Sequence, residues 1–194
     1  MNESTGYFEL QLGKSILAFE YAKTSSSYHF AINIPSFQEQ EALAWLKEKT
    51  SILKGDNKKE IQDFVDWNAR AIYFYDPDKN IVEFIARKNL AYQSNKLFDA
   101  QSVVEISEIG IPTTNIAKHY HWLHHKLGLE IYSGGMHRFC AIGNEHALFI
   151  CIDKTIKKWL PTNDNAYSSP FKIAIEHNKQ SYNLHYNNDL ITSS

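Results

Sequence analysis

The feature that most constrains this chain is an internal repeat. A strand, a helix and further strands follow one another between residues 28 and 87, and the same order begins again between residues 103 and 153. In the first copy Tyr28-His29-Phe30-Ala31-Ile32-Asn33-Ile34 reads as a strand, after which Pro35 and Ser36 punctuate. From Phe37 to Lys49 the apolar residues Ala42, Leu43, Trp45 and Leu46 keep helical spacing. Beyond a polar connector come a strand (Ala69 to Tyr75), a turn (Asp76-Pro77-Asp78-Lys79-Asn80) and another strand (Ile81 to Ala86). In the second copy Val103 to Ile111 is the strand and Pro112-Thr113-Thr114-Asn115 offers a helix cap. Ile116 to Leu127 is then a helix closed by Gly128. Leu129-Tyr132, His137-Ile142 and Ala147-Ile152 follow as strands.

Strands outnumber helices and each unit is too short for a doubly wound sheet, so the expected class is α+β. The boundaries follow. Residues 1–90 hold the first module with a preceding partial one, the hairpin 6–22, which turns at Gly13-Lys14 and looks like the end of an earlier copy. Residues 91–102 are a linker. Residues 103–177 hold the second βαβββ module plus one extra strand, Phe171 to Glu176, which looks like the start of a later copy. The polar tail 178–194 is expected to fray, and the polar run Lys23 to Ser27 is read as a connector.

Charge and composition narrow the function. Twenty Lys and Arg against 22 Asp and Glu leave a formal charge of −2, which excludes the concentrated cationic face that nucleic acid demands. No long apolar run suits a membrane, and with no signal peptide or spaced cysteine framework a reducing cytoplasm is expected. Cys140 and Cys151 lie in apolar strands and read as core filler. His119, His121, His124 and His125 crowd the second helix. His121 and His125 share a face, but no third ligand is supplied nearby, so an exposed helix face is expected. Gly134-Gly135 is a turn rather than a phosphate cradle, and neither a Ser-His-Asp nor a nucleotide motif is present.

His29 at the head of its strand, the run Ala71-Ile72-Tyr73-Phe74-Tyr75-Asp76-Pro77-Asp78-Lys79-Asn80-Ile81-Val82-Glu83-Phe84, and Lys126-Leu127-Gly128-Leu129 at the second helix exit together resemble the vicinal oxygen chelate superfamily. That group contains glyoxalases, bleomycin-resistance proteins and extradiol dioxygenases. The resemblance implies repeated βαβββ modules forming a cupped, partly open mixed β-sheet with helices on the outside. It also implies a divalent metal (Fe, Mn, Zn or Ni) in the cup, with His29 and Glu83 as ligands. In the second copy Glu108 stands in the first-strand position and Lys172 in the next. If the first module closes on the hairpin, the site has two protein ligands; if it closes on the second module, Glu108 makes a third. Tyr73 and Tyr75 are implied acid/base or hydrogen-bonding groups. Trp67, Asn68 and Arg70 fall where related proteins contact an anionic substrate. In the turn Lys79 replaces a glycine.

The implied activity is that of a glyoxalase- or dioxygenase-like, metal-dependent enzyme acting on a small vicinal-oxygen substrate, as a lyase or a ring-cleaving dioxygenase. The alternatives are a metal-free binding protein of the bleomycin-resistance type and an inert, N-terminally truncated remnant. A homodimer is expected, because an incomplete module leaves a strand edge for a partner to cover.

Overall fold

The computed structural model describes residues 6–24, 27–55 and 58–193. Residues 1–5, Ser25 and Ser26 of the polar run, Asp56 and Asn57 of the connector, and Ser194 of the tail lie outside the described residues. The chain runs β1 (Tyr7–Leu12), β2 (Ser15–Glu20), β3 (His29–Ile34), α1 (Glu39–Lys47), β4 (Ile52–Leu53), β5 (Gln62–Phe64), β6 (Ala69–Tyr75) and β7 (Ile81–Arg87). It continues through β8 (Glu105–Thr113), α2 (Ile116–Leu127), β9 (Ile131–Gly134), β10 (Phe139–Asn144), β11 (Ala147–Asp153), β12 (Phe171–His177), β13 (Gln180–Asn187) and β14 (Leu190–Ser193). It is α+β, as expected.

The two copies share one nine-stranded mixed sheet, ordered β4-β6-β7-β3-β8-β11-β10-β9, with β5 also paired to β6. Each copy contributes the same local order. Its first strand lies parallel to its last, β3 to β7 and β8 to β11. The first strands meet antiparallel at the centre, Phe30 opposite Ile109 and Ala31 opposite Glu108, with a register shift between Ala31 and Ile32. The first module therefore closes against the second and not against the hairpin.

Period-two alternation decides which side chains face the cup. On β3, β7 and β11 the residues Ala31, Ile81, Ile85, Leu148, Ile150 and Ile152 form one buried cluster with Trp159. The intervening Phe30, Ile32, Ile34, Val82 and Phe84 join Ala42 and Leu46 of α1 on the opposite face. Phe149, Cys140, Cys151 and Ile142 likewise pack with Leu123 and Leu127 of α2. A leucine buried this way contributes roughly 1.5–3 kcal/mol. The expected caps of α2 are present. The Asn115 side chain accepts from the Lys118 backbone N–H, and Gly128, at φ 71°, returns its own N–H to the His124 carbonyl. In the turn, Lys79 does adopt a positive φ of 64°. The Asp76 carboxylate holds that turn by accepting from the N–H groups of Asp78 and Asn80.

Three expectations need correction. Residues 178–194 do not fray: β13 and β14 pair with β12 in a separate three-stranded antiparallel sheet. Its alternation Tyr182, Leu184, Tyr186 hides among polar residues, yet Leu184, Tyr186 and Ile191 are buried in the α2 cluster. The strand Phe171–His177 consequently begins this sheet and not a third module. The hairpin β1–β2 is a two-stranded sheet of its own, outside the cup. It docks on the main sheet through Lys14, whose N–H donates to the Val104 carbonyl at 2.8 Å, and through the Ser15 hydroxyl, which accepts from Ile106 at 3.0 Å. Gly13 makes this approach feasible, since a Cβ there would sit 1.9 Å from the Val104 oxygen.

Candidate metal centre

Three strands at the centre of the sheet each send one ionisable side chain into the cup. His29 comes from β3, Glu83 from β7 and Glu108 from β8, and one donor atom of each lies within 4.8 Å of the others. All three are buried, at 6%, 3% and 4% exposure. The register explains the meeting. Glu83 lies opposite Ala31, two residues along β3 from His29, and Ala31 on its other side lies opposite Glu108. All point the same way because they share one phase of the pleat.

Each donor is held by a further group. His29 Nδ1 lies 3.2 Å from the Ile81 carbonyl, which can only accept, so the proton belongs on Nδ1 and the Nε2 lone pair faces the cup. Nε2 is 3.5 Å from Glu83 Oε2. Burial lowers the His29 pKa to about 4, so the imidazole is neutral and this contact is not an ion pair. Burial, and then the nearby Glu108 carboxylate, push the Glu83 carboxyl well above the usual range, while Arg87 and the Tyr73 hydroxyl pull it back. Burial raises Glu108 to about 7 against the pull of Arg87, whose Nη2 donates to Glu108 Oε1. Tyr73 is hydrogen-bonded to Glu83, and burial followed by that carboxylate keeps its phenol well above the ordinary value.

The donors suit a divalent ion. A neutral imidazole nitrogen and two carboxylates form a hard-to-borderline set. Around an ion bound at about 2.1 Å, neighbouring donors stand about 3–3.5 Å apart. The His29–Glu83 spacing of 3.5 Å matches that, and the trio reaches 4.8 Å at most, so small side-chain rotations complete the set. Two lone-pair bearers facing each other across Nε2 and Oε2 call for a cation or a proton between them. The repeat also defines a fourth slot. Glu83 lies two residues beyond Ile81, the partner of His29; the residue two beyond Leu148, the partner of Glu108, is Ile150. That slot is aliphatic. It is not Lys172, which lies exposed on β12 opposite His185.

The other expected site residues divide. Tyr73 stands beside the trio. The Tyr75 hydroxyl is instead bonded to Asp164, tying down the loop that carries Trp159. Arg70 has the opposite phase on β6 and reaches the helix-covered face, where it pairs with Glu39 and Asp63 at 2.9 Å each. It does not enter the cup, because adjacent strand residues point to opposite faces. Asn68 is a left-handed turn residue whose side-chain N–H donates to the Asn89 side-chain oxygen. Trp67 lies against Tyr132 and Phe139 on the cup side, its ring 5.4 Å from the Arg87 guanidinium. Of the helix histidines, His121 and His125 lie on the exposed face expected of that pair, whereas His119 is 1% exposed and bonded to Asp189 at 2.9 Å.

Arg87 and Trp159 were not among the expected site residues. Arg87 closes the strand Ile81–Arg87 in the same phase as Glu83, which was the available signal. Trp159 lies outside any strand; its ring sits 4.8 Å from that of His29 and covers Gly110, where a Cβ would be 2.7 Å from the indole. Trp159 is 4% exposed, so it roofs the trio. Two surface hollows of about 330 and 370 Å³ lie at 63–67 and beside α1, and neither is lined by the trio.

No protein-family model matches the chain, and no curated protein matches it. Among solved structures it is similar to a "putative dioxygenase" from Bacillus subtilis, with a TM-score of 0.55 and 12% identity, over 98% of this chain and 73% of that one. At that identity the likeness shows a common fold alone. No described helix is long and apolar enough to cross a membrane.

Proposed function

We propose that this chain is a divalent-metal-dependent enzyme of the vicinal oxygen chelate superfamily, binding a small substrate through two neighbouring oxygens. The observation that carries the reading is the convergence of His29, Glu83 and Glu108, from both modules, in one buried cup. The shared fold with the Bacillus subtilis protein supports it. An ion of the Fe, Mn, Zn or Ni type would supply Lewis acidity to the substrate oxygens.

The residues around the trio have separate tasks. Ile81 fixes the His29 tautomer, Tyr73 orients Glu83, and Arg87 orients Glu108. Because its phenol is held protonated and its one O–H is given to Glu83, Tyr73 is a positioning group and not a base. Ala31, Ile85, Leu148 and Ile150 make the neighbouring wall apolar, which excludes water from the reacting atoms. Trp159 must shift for a substrate to reach the trio.

Protein prepared without a histidine tag and analysed for elements tests the reading. Stoichiometric Mn, Fe, Zn or Ni is expected, lost in His29→Ala and in Glu83→Gln but kept in His125→Ala, which removes only the exposed helix pair. Protein that takes up no ion yet binds an aromatic ligand would replace this reading with the bleomycin-resistance type of binding. Oxygen uptake separates ring cleavage from lyase chemistry. The proposed homodimer is tested by sedimentation.

A further inference from the structure

We infer that Arg87 is the receptor for a carboxylate of the ligand, so that the cup selects small carboxylates over their uncharged counterparts. The inference rests on the metal-dependent reading above and adds the substrate's charge to it.

The Arg87 side chain is fully buried, and its three nitrogens are unequally occupied. Nε donates to Asn33 Oδ1 at 3.2 Å and Nη2 donates to Glu108. Nη1 is buried and has no hydrogen-bond partner. Buried donors are almost always matched with an acceptor, because desolvation is otherwise uncompensated, and a charged donor is the costliest to leave alone. Trp67 covers the guanidinium at 5.4 Å but offers a ring face and no acceptor oxygen. A guanidinium edge beside a chelating centre is matched in shape and charge by a carboxylate.

A carboxylate on Nη1 supplies the missing acceptor together with a charge opposite to that of the guanidinium.

Two probes that offer the same pair of neighbouring oxygens and differ in charge decide the matter: glycolate and glycolamide, titrated calorimetrically into the Mn(II)-loaded protein. Arg87→Lys keeps a cation beside Glu108 and removes the Nη1 edge. The ion's own preference for a carboxylate is common to both proteins, so the change in the glycolate-over-glycolamide ratio isolates Arg87. That ratio is expected to fall about tenfold or more in Arg87→Lys, the effect of losing a hydrogen bond to a charged group. An unchanged ratio, or an equal weakening of both probes, overturns the inference and leaves Arg87 as an orienting group for Glu108. Should the wild-type protein take up none of Mn, Fe, Zn and Ni, the metal reading fails by itself. The carboxylate inference is then read in the metal-free protein from the Arg87 Nε–H resonance during an acetate titration. The same measurement serves if Arg87→Lys does not fold. A saturable shift supports the inference, and no shift overturns it.

Discussion

Replacing Arg87 with Met in the metal-free protein isolates the electrostatics of the cup. Breaking a buried ion pair by removing one partner costs roughly 3–5 kcal/mol when the remaining charge cannot escape. Glu108 can escape by keeping a proton, so the loss should depend on pH. Its carboxyl is raised to about 7 with Arg87 present, and Arg87 acts to lower it. A carboxyl with a raised folded value contributes stability that is full below its unfolded value, near 4.5, and lost as pH rises through the folded one. Without Arg87 the folded value moves higher still. At pH 6 Glu108 is then mostly protonated in both proteins and adds little to the difference between them. At pH 8 it is mostly ionised in the wild type and less ionised in the variant, a difference on the order of 1 kcal/mol. Urea unfolding in the presence of a chelator, at pH 6 and pH 8, reads it directly. Arg87→Met should lose on the order of 1 kcal/mol more at pH 8 than at pH 6, and adding Glu108→Gln should abolish the extra loss. Equal losses at the two pH values would refute the assignment of Glu108 as the raised carboxyl that Arg87 restrains.

Three further outcomes follow from the packing. Leu123→Ala, at a position with no exposure between α2 and the sheet, should cost about 2–5 kcal/mol by denaturant unfolding, with the far-ultraviolet circular dichroism retained. Gly110→Ala should push the Trp159 indole off His29, seen as a red-shifted tryptophan emission and a lower melting temperature; an unchanged spectrum would show the roof to be elsewhere. Although burial opposes it, hydrogen bonds from Thr113, His119 and Thr114 hold the Asp189 carboxyl below its usual value. Asp189→Ala should therefore free β13–β14 from α2, costing about 1–3 kcal/mol and opening the C-terminal sheet to limited proteolysis.

Much of the element list was legible because it depends on near neighbours. The alternation of β3, β6 and β7, the helix spacing around Ala42 and Leu46, and the Asn115 and Gly128 caps are local patterns, and the structure keeps them. What escaped has its own reasons. The short strands β4 and β5 lie in a polar connector, the pattern Tyr182-Leu184-Tyr186 was diluted by polar residues, the hairpin's isolation leaves no trace in its own alternation, and Trp159 sits in a segment without periodicity.

The sequence marked His29 and Glu83 for the cup only through the family resemblance, since both of their strands are buried on both faces and carry no alternation of their own. It left open whether Glu108 would join them. Only the antiparallel pairing of β3 with β8 decided that, since pairing of first strands from two modules is a contact between residues remote in the chain. The same pairing placed Arg87 beside Glu108, the parallel pairing of β8 with β11 put Ile150 in the fourth slot, and Arg70's phase on β6 set it on the helix-covered face. A side chain's phase is a local property, but its partner across the sheet is fixed by register, which the packing of the whole cup selects.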